Sequence, residues 1–422
     1  MKFDNLEKKE VSLRQYVEKY VVDHNGLLCS SLYDETLKPW TPEDIKPTDE
    51  FINIPYKIWD ILNYENSGMT TGAYLAAQSY RFLVTKCDDA FRLAQRSFCG
   101  IRYIYELGKQ NEEGYFPKTY GGIYSEEAST DQYLYAMKGM MAYRYIAPEE
   151  DLQIIKNMIT KMTDFWVKRK YRRTYFGIKE MLWPLGRFPS LLLMAYKVSG
   201  EHKYIDEFKR LNEKEMVYLA PADSQLYCRI NNDRPIEFSE YEKRKGNKVL
   251  FRAIGECAAM DIMELDECLQ HSDVYKEYWL RSMKQAWYEG KLELTDNGLS
   301  QWMFLYDPET RQVSVPEPEY YSESDAMDWS FLRWVGGFLS PRSTMLARVG
   351  VNVAKWLPEE NAGETLVTIL EKISPDDMKQ FIDPDGKQIL DKHRYQCHEI
   401  CVDAIVNWLW AYWQGRYERV VI

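Results

Sequence analysis

Four carboxylates stand where they could do acid–base chemistry: Glu65, Asp131, Asp325 and Asp328. Asp131 lies in Glu126-Glu127-Ala128-Ser129-Thr130-Asp131-Gln132-Tyr133. The Ser129/Gln132 spacing fits a capping box, which would put Asp131 in the first turn of a helix. The helix dipole favours an acidic side chain there whatever its role, so packing and dipole alone could explain it. A dipole-stabilised carboxylate also resists protonation. A general acid at this position would need desolvation or a second carboxylate to raise its pKa. Asp325 and Asp328, in Ser322-Glu323-Ser324-Asp325-Ala326-Met327-Asp328-Trp329, offer that second group, one turn apart on one helix face. Glu65, just ahead of Gly68, is another. Paired carboxylates across a cleft are what glycoside chemistry uses: one protonates the leaving oxygen, the other activates water or attacks.

Candidate binding residues surround them: Trp183 and Arg187 in Trp183-Pro184-Leu185-Gly186-Arg187, Tyr120 in an aromatic, Gly-rich loop at 115–122, Trp329, Arg333 and His398. Lys248, Arg252, Trp334, His393, Arg394 and Glu399 join them as rim residues. Arg187, near a helix start, is repelled by the dipole, so an anion should compensate it: a substrate carboxylate or one of the aspartates. His398 reads equally as a packed histidine. The spacing Cys397-x-x-x-Cys401 with His398 could suggest a metal, but a buried helix face explains it more simply. No metal and no cofactor is expected.

The elements that must hold these residues alternate in type. Segments 68–85, 128–146, 187–198, 247–270, 326–340 and 395–414 are apolar nearly all round, as buried helices are. Segments 7–22, 87–109, 149–169, 201–217, 273–289 and 342–357 onward carry one-sided apolar stripes. A repeat of about 60 residues that buries one helix and exposes the next describes a closed ring of hairpins. The expectation is therefore an all-α fold, an (α/α)6 toroid with inner buried and outer amphipathic helices, formed as one domain over 1–422. The N-terminal helix would close the circle as outer partner of the last inner helix. Turns after inner helices are short, and connections before them are long (23–67, 110–127, 170–186, 218–246, 290–325 and 376–394). Long loops gathered at one end of a compact fold usually carry function, and here they surround the inner-helix N-termini.

Composition limits the partners. The net charge of −11 argues against a general nucleic-acid binder. No apolar run approaches the ~18 residues of a membrane span, and the charged N-terminus shows no signal-peptide core. The eight Cys are scattered and read as reduced core thiols of a cytoplasmic protein. Thirteen Trp and 32 Tyr suit thick helix packing, with some rings free to stack on sugar faces.

Three segments resemble the six-hairpin glycosidase superfamily: Asn66–Gln78, the Gly114–Tyr120 loop with Ser129–Tyr133, and Trp183–Ala195. In character the chain looks most like the unsaturated glucuronyl and rhamnogalacturonyl hydrolases. That resemblance implies Asp131 as the acid that protonates the 4,5-double bond of an unsaturated uronic sugar before water adds. The chain departs from it at Glu65-Asn66-Ser67, where a member of that group carries a second aspartate. The resulting expectation is a glycoside hydrolase-like enzyme acting on small oligosaccharides, uronate-containing ones included. A polysaccharide lyase, a sugar epimerase on the same scaffold and a non-catalytic carbohydrate-binding protein stay open. Epimerases of this shape rely on barrel histidines, and this chain has five His in all.

Overall fold

The computed structural model describes residues 2–45, 56–175, 178–182, 187–215, 249–252, 294–301, 303–307, 312–314, 339–380, 382 and 398–421, with single positions between 276 and 291. Asp325, Asp328, Trp183, Trp329, Arg333, Lys248, Trp334, His393 and Arg394 lie outside them.

Inner and outer helices alternate as the periodicity requires. Helix α1 (Lys2–Tyr16) is followed by a π-helical turn and the short α2 (Ile58–Tyr64). The first hairpin is α3 (Ser67–Thr85) with α4 (Asp88–Lys109), and the second is α5 (Thr130–Tyr143) with α6 (Glu149–Lys168). The third is α7 (Phe188–Ser199) with α8 (His202–Glu215). Further on come α9 (Ser343–Trp356) with α10 (Ala362–Lys372), and α11 (Val402–Tyr417). Among the described residues, α7, α5, α3, α11 and α9 pack side by side in that order as an inner arc. Every residue of α3 from Ser67 to Ser79 is buried, whereas α4 buries only the stripe expected of an outer helix.

The arc is tight because small residues let backbones touch. A Cβ on Gly72 of α3 would stand 2.3 Å from the Tyr135 carbonyl oxygen of α5, and one on Gly139 of α5 would stand 2.4 Å from the Gly72 oxygen. The circle is clasped where the sequence placed its closure. Lys9 of α1 donates to the carbonyls of Leu370 (2.8 Å), Glu371 (2.7 Å) and Ile373 (2.6 Å), which end α10. Trp413 Nε1 of α11 donates to Glu10 Oε1 of α1 at 3.0 Å.

The later hairpins are out of step with the expected register. Segment 342–357 was expected outside, yet α9 buries every residue from Ser343 to Val351. The polar positions that gave it an amphipathic pattern find partners within the barrel: Arg348 donates to Asn407 Oδ1 at 2.7 Å and covers the Trp410 ring at 3.4 Å. Its outer partner is α10, after a short turn through Asn361. Leu339–Ser340, expected to end an inner helix, form strand β8. Val249–Arg252, expected within an inner helix, form strand β4, and the rest of 247–270 lies outside the described residues. The last inner helix starts at Val402 rather than 395, after strand β9 (Glu399–Cys401).

Strands are short and fall in the long connections. Strand β1 (Ser31–Tyr33) pairs antiparallel with β9, placing Ser31 opposite Cys401. Strands β2 (Arg172–Tyr175) and β3 (Ile178–Leu182) form a hairpin, and β5 (Ser300–Gln301) pairs with β8. Strand β4 pairs with β6 (Met303–Asp307), which pairs with β7 (Gln312–Ser314). Among the described residues, β9 and β8 lead directly into the N-termini of α11 and α9.

Candidate functional site

A continuous polar belt links the N-termini of five inner helices. At one end Arg187, which caps α7, donates from Nη1 to Thr130 Oγ1 of α5 at 2.8 Å and stands 3.9 Å from Asp131 Oδ1. Next along α5, Gln132 accepts from the Met69 backbone N–H at 3.0 Å and donates toward Asn66 Oδ1 and the Glu65 carbonyl, both at 3.3 Å. Asn66 Nδ2 in turn donates to Asp403 Oδ2 of α11 at 3.2 Å, and Thr70 Oγ1 donates to Asp403 Oδ1 at 2.5 Å. Arg342, which caps α9, completes the belt 3.9 Å from Asp403 Oδ2. Gly68 permits the close approach on α3, since a Cβ there would meet Gln132 Oε1 at 2.7 Å.

The expected capping box at Ser129 does not form. Ser129 is the N-cap with extended backbone but makes no capping hydrogen bond, and Gln132 is spent across the belt instead of on its own helix. Asp131 nonetheless occupies the first turn of α5. Its side chain is 24% exposed in a recess, and Oδ1 has no hydrogen-bond partner among the described residues.

The loop between α4 and α5 supplies the second carboxylate's support. Lys118 is almost fully buried and pairs with Glu65 Oε1, while the Tyr120 hydroxyl donates to Glu65 Oε2 at 2.8 Å. Tyr120 was expected to offer its ring to a substrate. Instead the ring is buried, with Tyr56 against it at 4.5 Å, and the hydroxyl positions Glu65.

Electrostatics set the carboxylates apart. Burial pushes the Asp131 carboxyl up, but Arg187 and then Lys118 outweigh it and hold the group below the usual aspartate range. The compensating anion expected beside Arg187 is therefore Asp131 itself. Glu399 behaves oppositely. Burial, reinforced by Asp403 and Glu65, pushes its carboxyl up to about 7, against the pull of Ser31 and Arg342. Alternation along β9 turns His398 the other way. That ring is exposed and meets Asp34 Oδ1 at 3.0 Å. Cys401 is buried, with its thiol raised to about 12, and no group of metal-binding side chains occurs among the described residues.

The structure brings Asp131, Arg187 and Glu65 to one end, together with Lys118, Arg342 and Asp403, which the sequence reading does not assign to the site. Asp403 had a usable signal, because it too stands ahead of an apolar run. It was hidden by starting that helix at 395. Arg342 was read as following a short turn, and Lys118 as one residue of a covering loop.

No family model matches the sequence, and no curated protein does. Solved structures do match. A sugar epimerase from a ruminal bacterium superposes with a TM-score of 0.50 at 11% identity, covering 96% of this chain and 98% of its own. The cellobiose 2-epimerase of Bacillus thermoamylovorans B4167 gives 0.52 at 10% identity, covering 96% and 99%. The chain is an (α/α)6 toroid. At such identities the likeness concerns the fold, and the chemistry has to be argued from the side chains.

Proposed function

We propose that this toroid is a carbohydrate-acting enzyme working by carboxylate acid–base chemistry at the inner-helix N-terminal end. The observation that carries the reading is the cluster of carboxylates at that end: Asp131 3.9 Å from Arg187, Glu65 held by Lys118 and Tyr120, and Glu399. Burial raises Glu399, while Arg187 and Lys118 lower Asp131. Groups whose environments push their pKa values apart are suited to serve as base and acid at neutral pH. Glu399 is then the proton donor and Asp131 the base, a reversal of the acid role that resemblance alone gave to Asp131. Burial raises Glu399 most, with Asp403 and then Glu65, itself held by Lys118 and Tyr120, adding to it. The substrate is a small oligosaccharide, with uronate-containing sugars among the first to test.

Hydrolysis is the first reading and epimerisation the second, favoured by the toroids that superpose on this chain being epimerases. Incubation in D2O with cellobiose, neutral glycosides and an unsaturated uronyl disaccharide separates them. Hydrolysis releases a reducing end or consumes the unsaturated chromophore. Epimerisation leaves the linkage intact and carries deuterium into the product ring carbon. Asp131→Asn should abolish either activity while preserving the circular dichroism spectrum. Full turnover by that variant on a confirmed substrate would refute the assignment.

A further inference from the structure

Glu399 is the first residue of a strand only three residues long, and short elements fray at their ends. Backbone bonds hold β9 on both sides. Toward β1, Asp34 N–H donates to His398 O at 2.8 Å and Val402 N–H donates to Ser30 O at 3.2 Å. On the other side Gln380 N–H donates to Glu399 O and Cys401 N–H to Met378 O, both at 2.6 Å, with Lys379 bridged antiparallel to Ile400. Strand β9 therefore lies between β1 and the segment 378–380.

One side chain reaches across that strand. Asp34 follows β1 and opens the turn that returns at Lys38, where Tyr33 N–H donates to Lys38 O at 2.9 Å. An aspartate at the head of a turn commonly accepts from amides of its own turn. Asp34 spends its carboxylate elsewhere: Oδ1 meets His398 Nδ1 at 3.0 Å, and Oδ2 pairs with Lys379 Nζ at 2.7 Å. An ion pair between two exposed side chains contributes little. Here the Asp34 side chain is only 10% exposed, and it joins the two segments that flank β9 while gripping β9 itself through His398. The clasp falls one residue from Glu399, at the end of the strand where fraying would begin.

We infer that Asp34 is a positioning residue for Glu399: by joining Lys379 to His398 across β9, it pins the end of the strand that carries Glu399 and so holds that side chain in the site. Pinned there, Glu399 interacts with Ser31 of β1, Arg342 at the start of α9, Asp403 of α11 and Glu65 at the end of α2. The inference rests on the reading of Glu399 as proton donor, but its test needs no substrate.

Carbon-13 NMR of the full-length protein, labelled at the glutamate carboxyl carbon, reads Glu399 directly, its signal being the one that Glu399→Gln removes. In the unaltered protein that signal should titrate at about 7. Asp34→Ala opens the clasp and lets water reach the carboxyl. The midpoint should fall by about one pH unit or more, toward the ordinary 4.5. Lys379→Met supplies the decisive sign. Acting through space, loss of a cation raises a nearby carboxyl, whereas loss of the clasp lowers it, as in Asp34→Ala. Downward shifts in both variants support the inference. A midpoint that Asp34→Ala leaves unmoved, or that Lys379→Met raises, overturns it; a purely structural role for Asp34 would lower the urea midpoint and leave the titration in place. Lys379 is 43% exposed, so its variant keeps the test decisive should Asp34→Ala not fold. The two readings fail separately. A Glu399 signal titrating in the ordinary range in the unaltered protein removes the donor and the inference together, while one near 7 that ignores the clasp overturns the inference alone.

Discussion

Replacing Glu399 with Gln should stabilise this protein at pH 8 and change it little at pH 5. The Glu399 carboxyl titrates at about 7 in the folded chain, against an ordinary value of 4.5. Below pH 4.5 the group is protonated in folded and unfolded chains alike and contributes nothing. Between 4.5 and 7 the folded chain holds a proton that the unfolded chain releases, so stability falls as pH rises across that window. Above 7 the folded chain carries a buried carboxylate that also feels the charges of Asp403 and Glu65, and the whole penalty is present. The gap at 1.36 kcal/mol per pH unit amounts to about 3 kcal/mol. Glu399 keeps some exposure, so screening reduces this to about 1–3 kcal/mol. Gln has the shape of the protonated acid and cannot ionise.

Urea unfolding followed by circular dichroism, on both proteins at pH 5, 6, 7 and 8, measures the difference directly. The gain from Glu399→Gln should grow from under about 1 kcal/mol at pH 5 to about 1–3 kcal/mol at pH 8. Glu65→Gln removes one of the carboxylates that raise Glu399 and should shift the pH-dependent window downward. A gain from Glu399→Gln that stays constant with pH would refute the reasoning, because the benefit would then come from packing and not from a suppressed charge.

Gly72→Ala drives a methyl to within 2.3 Å of the Tyr135 carbonyl oxygen, so α3 and α5 must part. It should cost about 3 kcal/mol in chemical denaturation, and a variant of unchanged midpoint would mean the helices can separate freely. Lys9→Met removes three hydrogen bonds to the carbonyls that end α10. A loss of about 1–3 kcal/mol in the same assay is expected, and no loss would show that the clasp between chain start and ring is idle. Arg187→Met removes the charge that lowers the Asp131 carboxyl most. Once a substrate is known, the acid limb of its pH–rate profile should move to higher pH, and an unmoved limb would deny Asp131 the role of base.

Periodicity read the first three hairpins well, because α3, α5 and α7 are apolar on every side while α4, α6 and α8 show clean stripes. It failed at α9 for a physical reason. A toroid has a polar interior, and an inner helix that sends Arg348 toward Asn407 and Trp410 has the same alternation as one that faces water. Once α9 was taken as outer, Arg342 fell in a turn instead of at a helix start. The strands were invisible for another reason. Ladders of two to five residues carry too short a pattern to register locally, and some pair segments far apart in the chain, as Ser31 does with Cys401. Lys118 and Glu65 could not be paired from sequence at all, since their contact depends on how one long loop folds over another.

Where each carboxylate sits in the backbone decides what it can do. Asp131 stands in the first turn of α5, where backbone dipoles favour charge, and Arg187 on the neighbouring helix start adds to that field. Glu399 stands on β9, before the helix that starts at Val402, where burial and, to a lesser degree, Asp403 and Glu65 raise its carboxyl. One end of a ring of parallel helix starts would otherwise ionise every acid placed on it. A strand position keeps Glu399 off a helix first turn, and burial, with a smaller push from Asp403 and Glu65, raises its carboxyl toward neutral pH. On the proposed reading the β1–β9 ladder matters to function: β1 holds β9 in register, with the Glu399 carboxyl buried and His398 exposed beside Asp34. A substitution that slipped the β1–β9 pairing by one residue would exchange the two faces. On that reading, proton donation would be lost with every carboxylate still present in the chain.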